Sequence, residues 1–83
     1  MVNFSLTSHA EVVVFERNID LVWIQKVLKN PVKTENDDTD PELRHSLGVI
    51  SEYGDRVLRV IHTRSVPTRI VTAFFDRSLK GKL

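Results

Sequence analysis

The chain has 83 residues, of which 41% are hydrophobic and none is cysteine, a length that suits one domain and a composition that excludes disulfides and thiolate metal sites. A core this small hides only about 60–65% of the unfolded surface, which points to marginal stability or self-association. Net charge is +1, but residues 1–43 hold four basic against eight acidic residues and residues 44–83 hold eight against three. The C-terminal half is therefore expected to form a basic surface that attracts phosphate, unless the two halves pair internally.

Asn3 to Leu6 reads as a short strand, with Phe4 and Leu6 on one side at period two. Ser8 follows as an N-cap, with Glu11 three residues on at the capping-box spacing. His9 to Arg17 is torn between two signals. Val12, Val13 and Val14 favour a strand, while the cap and the spacing of Ala10, Val13, Val14 and Arg17 favour a helix, and we assign a helix. Asp20 caps a second helix over Leu21 to Leu28, with Leu21, Ile24 and Leu28 on one stripe and Val27 beside it. Asn30-Pro31 ends it, because the residue before proline avoids helical geometry. Trp23, off the stripe, reads as an inter-helix or dimer contact.

Beyond Pro31 the period shortens. Glu35 to Glu42 packs five acids into eight residues around Pro41 and reads as a solvated loop. His45–Ser51, Arg56–Thr63 and Arg69–Asp76 read as three strands, turned at Tyr53-Gly54-Asp55 and at Ser65 to Thr68. Short connections imply an antiparallel meander. The expected fold class is α+β: two N-terminal helices packed on a twisted antiparallel sheet of three to four strands, in a single domain over residues 1–83. The start of the chain shows neither a basic leader nor an apolar run of signal-peptide length, and no stretch reaches membrane-span length, so a cytoplasmic setting is expected.

The order of the motifs carries a resemblance. Thr7-Ser8-His9-Ala10, Glu16-Arg17-Asn18-Ile19, Val27-Leu28-Lys29-Asn30-Pro31, the acidic loop, Arg56-Val57-Leu58-Arg59-Val60 and Val71-Thr72-Ala73-Phe74-Phe75-Asp76-Arg77 together resemble the domain-of-unknown-function family 4258. That family is grouped with RelE- and BrnT-type toxins among small ribonuclease-like folds, and the likeness runs from about Phe4 to Arg77. It implies helices on a twisted sheet, an active site on the open sheet face and a helix N-terminus, RNA as partner, and a cognate antitoxin.

Metal-independent RNA cleavage needs a base for the 2′-hydroxyl, an acid for the leaving oxygen and fixed cations for the phosphorane. His9, at a helix start whose free N–H groups suit a phosphate, is the candidate base, or else it merely caps the turn. Arg59, in mid-strand between Val57 and Ile61 on one parity, either snorkels or points into a cleft. We pair it with Thr72 as a hydroxyl that orients phosphate. The last strand's alternation puts Ile70, Thr72 and Phe74 on one face and Val71, Ala73 and Phe75 on the other. Arg17, Arg44 and Arg77 are candidate substrate-binding cations, with structural salt bridging the alternative for Arg17 and plain solvation for the other two. The three histidines lack ligand spacing, and Asp37, Asp38 and Asp40 lack the glycine and closing glutamate of a calcium loop, so neither a metal nor any other cofactor is expected. Two other readings stand beside the nuclease: a non-catalytic interaction or self-associating module, homodimeric through Trp23 and the apolar sheet face, and a nucleic-acid binder that does not cut.

Overall fold

The computed structural model describes residues 2–83. In chain order it has β1 (Phe4–Leu6), α1 (Ser8–Glu16), α2 (Leu21–Lys29), β2 (Lys33–Asn36), β3 (Leu43–Ile50), β4 (Arg56–Thr63) and β5 (Thr68–Phe75), with 3-10 turns at Ser51–Tyr53 and Arg77–Leu79. The fold is α+β, as the patterning predicts. The five strands form one mixed sheet in the order β1-β5-β4-β3-β2. β1 runs parallel to β5, with Phe4 opposite Thr68 and Leu6 opposite Ile70. All other pairs are antiparallel.

β2 is the strand that hydrophobic patterning does not reveal, and it takes in Glu35 and Asn36 from the start of the expected acidic loop. Lys33-Thr34-Glu35-Asn36 offers no apolar alternation because this strand lies at the sheet edge. It is held by its ladder to β3 and by a polar anchor, Glu35, described below.

α1 starts one residue earlier than the cap at Ser8 would place it. Thr7 is the N-cap: its Oγ1 accepts from the Ala10 amide at 3.1 Å and donates to the Val71 carbonyl at 3.3 Å. One hydroxyl thus starts the helix and ties it to β5, which Ser8 cannot do from inside the first turn. The helix stops at Asn18, whose φ of 53° is the left-handed geometry that asparagine tolerates. Asp20 caps α2 as expected, accepting from the Val22 amide at 2.9 Å. The buried stripe of α2 is rotated from the expected one. Ile24 and Val27 are fully buried, while Leu21 is 48% exposed.

Both helices cover one sheet face. Ala10 and Val14 of α1, Ile24 and Val27 of α2, and Ile19 between them close over Ile50, Leu58, Val60, Ile70 and Ala73. Each large side chain fully withdrawn from water here contributes about 1.5–3 kcal/mol. Gly48 of β3 sits under α2, where a Cβ would come within 2.8 Å of Val27 Cγ2.

The alternation of β4, with Leu58, Val60 and His62 opposite Val57, Arg59 and Ile61, holds on the helix side, where the first three are buried. That of β5 breaks. His62 pairs with Ile70 and Ile61 with Thr72, which leaves Val71 as an extra, bulged residue. A bulge resets the side-chain alternation. Ile70 and Ala73 therefore both enter the helix-side core at 0% exposure, while Thr72 and Phe74 take the open face with Ile61 and Arg59.

Candidate nucleic-acid interface

Three local structures converge where β5 ends. The chain turns from β3 into β4 through Ser51–Tyr53 and two left-handed residues, Gly54 (φ 70°) and Asp55 (φ 55°), which brings Tyr53 and Arg56 together. Past β5, Asp76 Oδ1 accepts from the Ser78 amide (3.1 Å) and the Ser78 hydroxyl (2.6 Å), capping the 3-10 turn that sets out Arg77 and Lys80. From α1, Arg17 reaches across and donates through Nη1 to the Ala73 carbonyl at 2.7 Å.

These segments enclose a groove of about 740 Å³. Arg17, Arg56, Arg77 and Lys80 supply its charge; Tyr53, Phe74 and Phe75 supply its aromatic wall. The Arg56 guanidinium lies 4.5 Å from the centre of the Tyr53 ring. Tyr53 stacks on Trp23 at 5.2 Å and meets Phe75 at 5.0 Å, so the wall is backed by a rigid aromatic cluster. Trp23 is thus an intramolecular brace between α2 and the sheet.

Among the described residues, none of the four groove cations is within ion-pair distance of a carboxylate. Asp76 also lines the groove, but its carboxylate is already engaged. The Ser78 hydrogen bonds and the Arg59 guanidinium hold it below its ordinary value, against the opposing pull of burial. Cations without carboxylate partners beside partly exposed rings can take phosphates and stack bases.

Arg59 itself lies on the open face inside a closed polar network. Nη1 donates to Glu35 Oε1 (2.8 Å) and to His45 Nδ1 (2.8 Å), and Nε donates to Asp76 Oδ2 (3.1 Å), which Nη2 also approaches at 3.0 Å. Since guanidinium only donates, His45 Nδ1 must accept. The His45 proton then sits on Nε2 and is given to Asp37 Oδ1 at 2.7 Å. That bond, with the Asp40 and Thr39 amides, lowers the Asp37 carboxyl to about 2. Glu35 is also held low, chiefly by Arg59. Burial works against the charge on Arg59, but the Glu35 and Asp76 carboxylates outweigh it and raise its pKa. The open-face arginine is a tie between β2, β3, β4 and the end of β5.

Arg17 and Arg77, expected to bind substrate, meet in the groove. Arg59 and Thr72 share the open face. His9 is exposed on α1, on the other side of the sheet, so the structure does not gather His9, Arg59 and Thr72 into one site. Arg44 lies at the opposite end of the sheet from the groove, paired with His62 and close to Arg64 and Ser65. There His62 is a buried structural residue: Nδ1 donates to the Thr63 carbonyl (2.9 Å), Nε2 accepts from the Ser46 hydroxyl (2.7 Å), and burial, with Arg44 and His45 nearby, pushes its pKa down. Among the described residues no three His, Asp or Glu side chains converge as metal ligands.

Sequence reasoning passes over Tyr53, Arg56 and Lys80. Tyr53 reads as a turn residue, and Lys80 falls in Ser78 to Leu83, which reads as a basic, frayed tail. The available signal was the recurrence of arginine just after each of two predicted turns or strand ends, at Arg56 and Arg77.

No helix is long and apolar enough to cross a membrane. Neither a curated protein nor a solved structure matches the chain. The profile described as Domain of unknown function (DUF4258) matches residues 6–75. That span takes in both helices and β2 to β5 but stops short of Arg77 and Lys80. From the end of β1 to the last residue of β5, this chain belongs to the DUF4258 family.

Proposed function

We propose that the protein binds single-stranded RNA in the groove at the end of β5. The observation that carries this reading is the set of four cations without carboxylate partners around three aromatic rings. Two of the acidic residues that could have masked them are occupied elsewhere, Glu35 with Arg59 and Asp37 with His45. Metal-independent cleavage of the RelE or BrnT kind, which the motif order implies, is a further step. The groove lining includes no histidine, so the geometry supports binding more directly than cutting.

Anisotropy of a labelled mixed-sequence RNA, titrated in EDTA at several salt concentrations, tests the proposal. Four phosphate contacts predict a slope of log K against log salt of about −2.8, or about 50-fold weaker binding at 200 mM than at 50 mM salt. Arg77→Gln with Lys80→Gln, both exposed, should halve that slope. A folded protein that binds no RNA at 50 mM salt would overturn the reading. Gel analysis of the same RNA gives the cleavage arm, in which cutting that disappears in His9→Ala restores the toxin-type mechanism. The interaction-module alternative has its own observation in the helices, where Phe15 is 83% and Val22 68% exposed. Concentration-dependent oligomers without RNA affinity would favour it.

A further inference from the structure

Resting on the groove reading, we infer that the bound strand leaves the groove along the open face of β5 and ends on Arg69, so that the ligand is an oligonucleotide and not a mononucleotide. The Val71 bulge is what makes this surface. By moving Ile70 and Ala73 together into the core, it turns Thr72 and Phe74 outward on the open face. Arg69 precedes Ile70 and takes the opposite face from it. It pairs with Ser5 of β1; both are exposed, and Arg69 is in no ion pair among the described residues.

From the groove outward, β5 therefore presents a ring, a hydroxyl and a cation. Those are a stacking surface, a hydrogen-bonding group and a phosphate contact. The carboxylates of the same face do not oppose this path. Glu35 and Asp37 belong to the β2 side of the sheet and are held by Arg59 and His45, and Asp76 is held by Arg59 and Ser78. Phe74 and Arg69 are five residues apart with Val71 bulged between them, so they are about four strand rises apart, or about 13 Å at ~3.3 Å per residue. At ~3.4 Å per stacked nucleotide, that distance takes about four nucleotides.

The test is anisotropy with labelled oligouridylates of increasing length, from two to ten nucleotides, at 50 mM salt. Affinity should rise with length and level off at about four or five nucleotides. Arg69→Gln should weaken the octamer about eightfold, as expected for one lost phosphate contact at this salt, and should reduce its salt slope by about 0.7. The dinucleotide should bind this variant as it binds the wild type, whereas Arg77→Gln should weaken both lengths. An octamer indifferent to Arg69→Gln but sensitive to Arg77→Gln would overturn the path and leave the groove standing. Binding of no length at all would overturn both. Arg69→Glu, with the fold checked by circular dichroism, repeats the measurement with reversed charge and should weaken the octamer further.

Discussion

Replacing Arg59 by methionine keeps most of its aliphatic stem and removes every donor of the open-face network. Glu35, Asp76 and His45 Nδ1 each lose a hydrogen bond, and Asp76 loses a second close contact. The Arg59 side chain is 12% exposed, against 16% for Asp76 and 35% for Glu35. Orphaning a fully buried charge costs about 3–5 kcal/mol, whereas exposed pairs contribute under about 1 kcal/mol. With one partner mostly covered and the other screened by water, about 2–3 kcal/mol is expected. A domain of this size has only about 4–12 kcal/mol to lose. Tm should fall by about 10–20 °C, at about 4–8 °C per kcal/mol. Urea titration followed by far-UV circular dichroism gives the free energy directly. Arg59→Lys keeps the charge but cannot reach three partners with a planar fork, so it should lose about half as much. Amide exchange in β2 should quicken in both variants, because Glu35 is that strand's tie to β4. An Arg59→Met protein within about 0.5 kcal/mol of wild type, below the effect of even a modest buried contact, would refute the reasoning.

Asp37→Asn tests the other end of the network through pH. A carboxyl held at about 2 in the folded protein stabilises it above the unfolded value of about 3.9, and that stability is lost as pH falls through 2. Thermal melts should therefore show the variant less stable than wild type at pH 7, with the two converging by about pH 2; a gap that persists unchanged in acid would refute the linkage. Gly48→Ala forces a methyl against Val27, whose branched side chain is 1% exposed and cannot swing away. It should cost about 1–3 kcal/mol in a chemical melt, and the loss should shrink when combined with Val27→Ala.

Much of the architecture was legible because it rests on local signals. Asp20 before an amphipathic run and Asn30-Pro31 after it define α2, and a run of branched apolar residues between two turn signals defines β4. β5 was legible as a strand but not in its facing, since a bulge leaves no mark in composition and Ile70-Val71-Thr72-Ala73 alternates on paper as any strand does. β2 escapes the pattern for a related reason: an edge strand anchored by a charge looks like loop. Arg59 stood out as an arginine among branched apolar residues, but its partners come from positions 35, 45 and 76, and only the sheet register unites them. The groove is harder still to read. Tyr53, Arg56, Arg77 and Arg17 belong to three segments whose meeting depends on the order of strands.

The contacts that α1 makes at its two ends also bear on how copies of this chain can meet. β1 covers β5 only from Thr68 to Ile70, so the rest of that margin has no neighbouring strand. The Thr7 hydroxyl occupies the carbonyl of Val71 and the Arg17 guanidinium that of Ala73. Those are acceptors that an incoming strand from another molecule would need in order to lengthen the sheet. A nine-residue helix thereby closes a polymerisation edge with two side chains. Strand addition by a second copy is disfavoured at this margin of β5. A nucleic acid that drew Arg17 fully to its phosphates would reopen the Ala73 acceptor, coupling occupancy of the groove to the tendency of the chain to self-assemble.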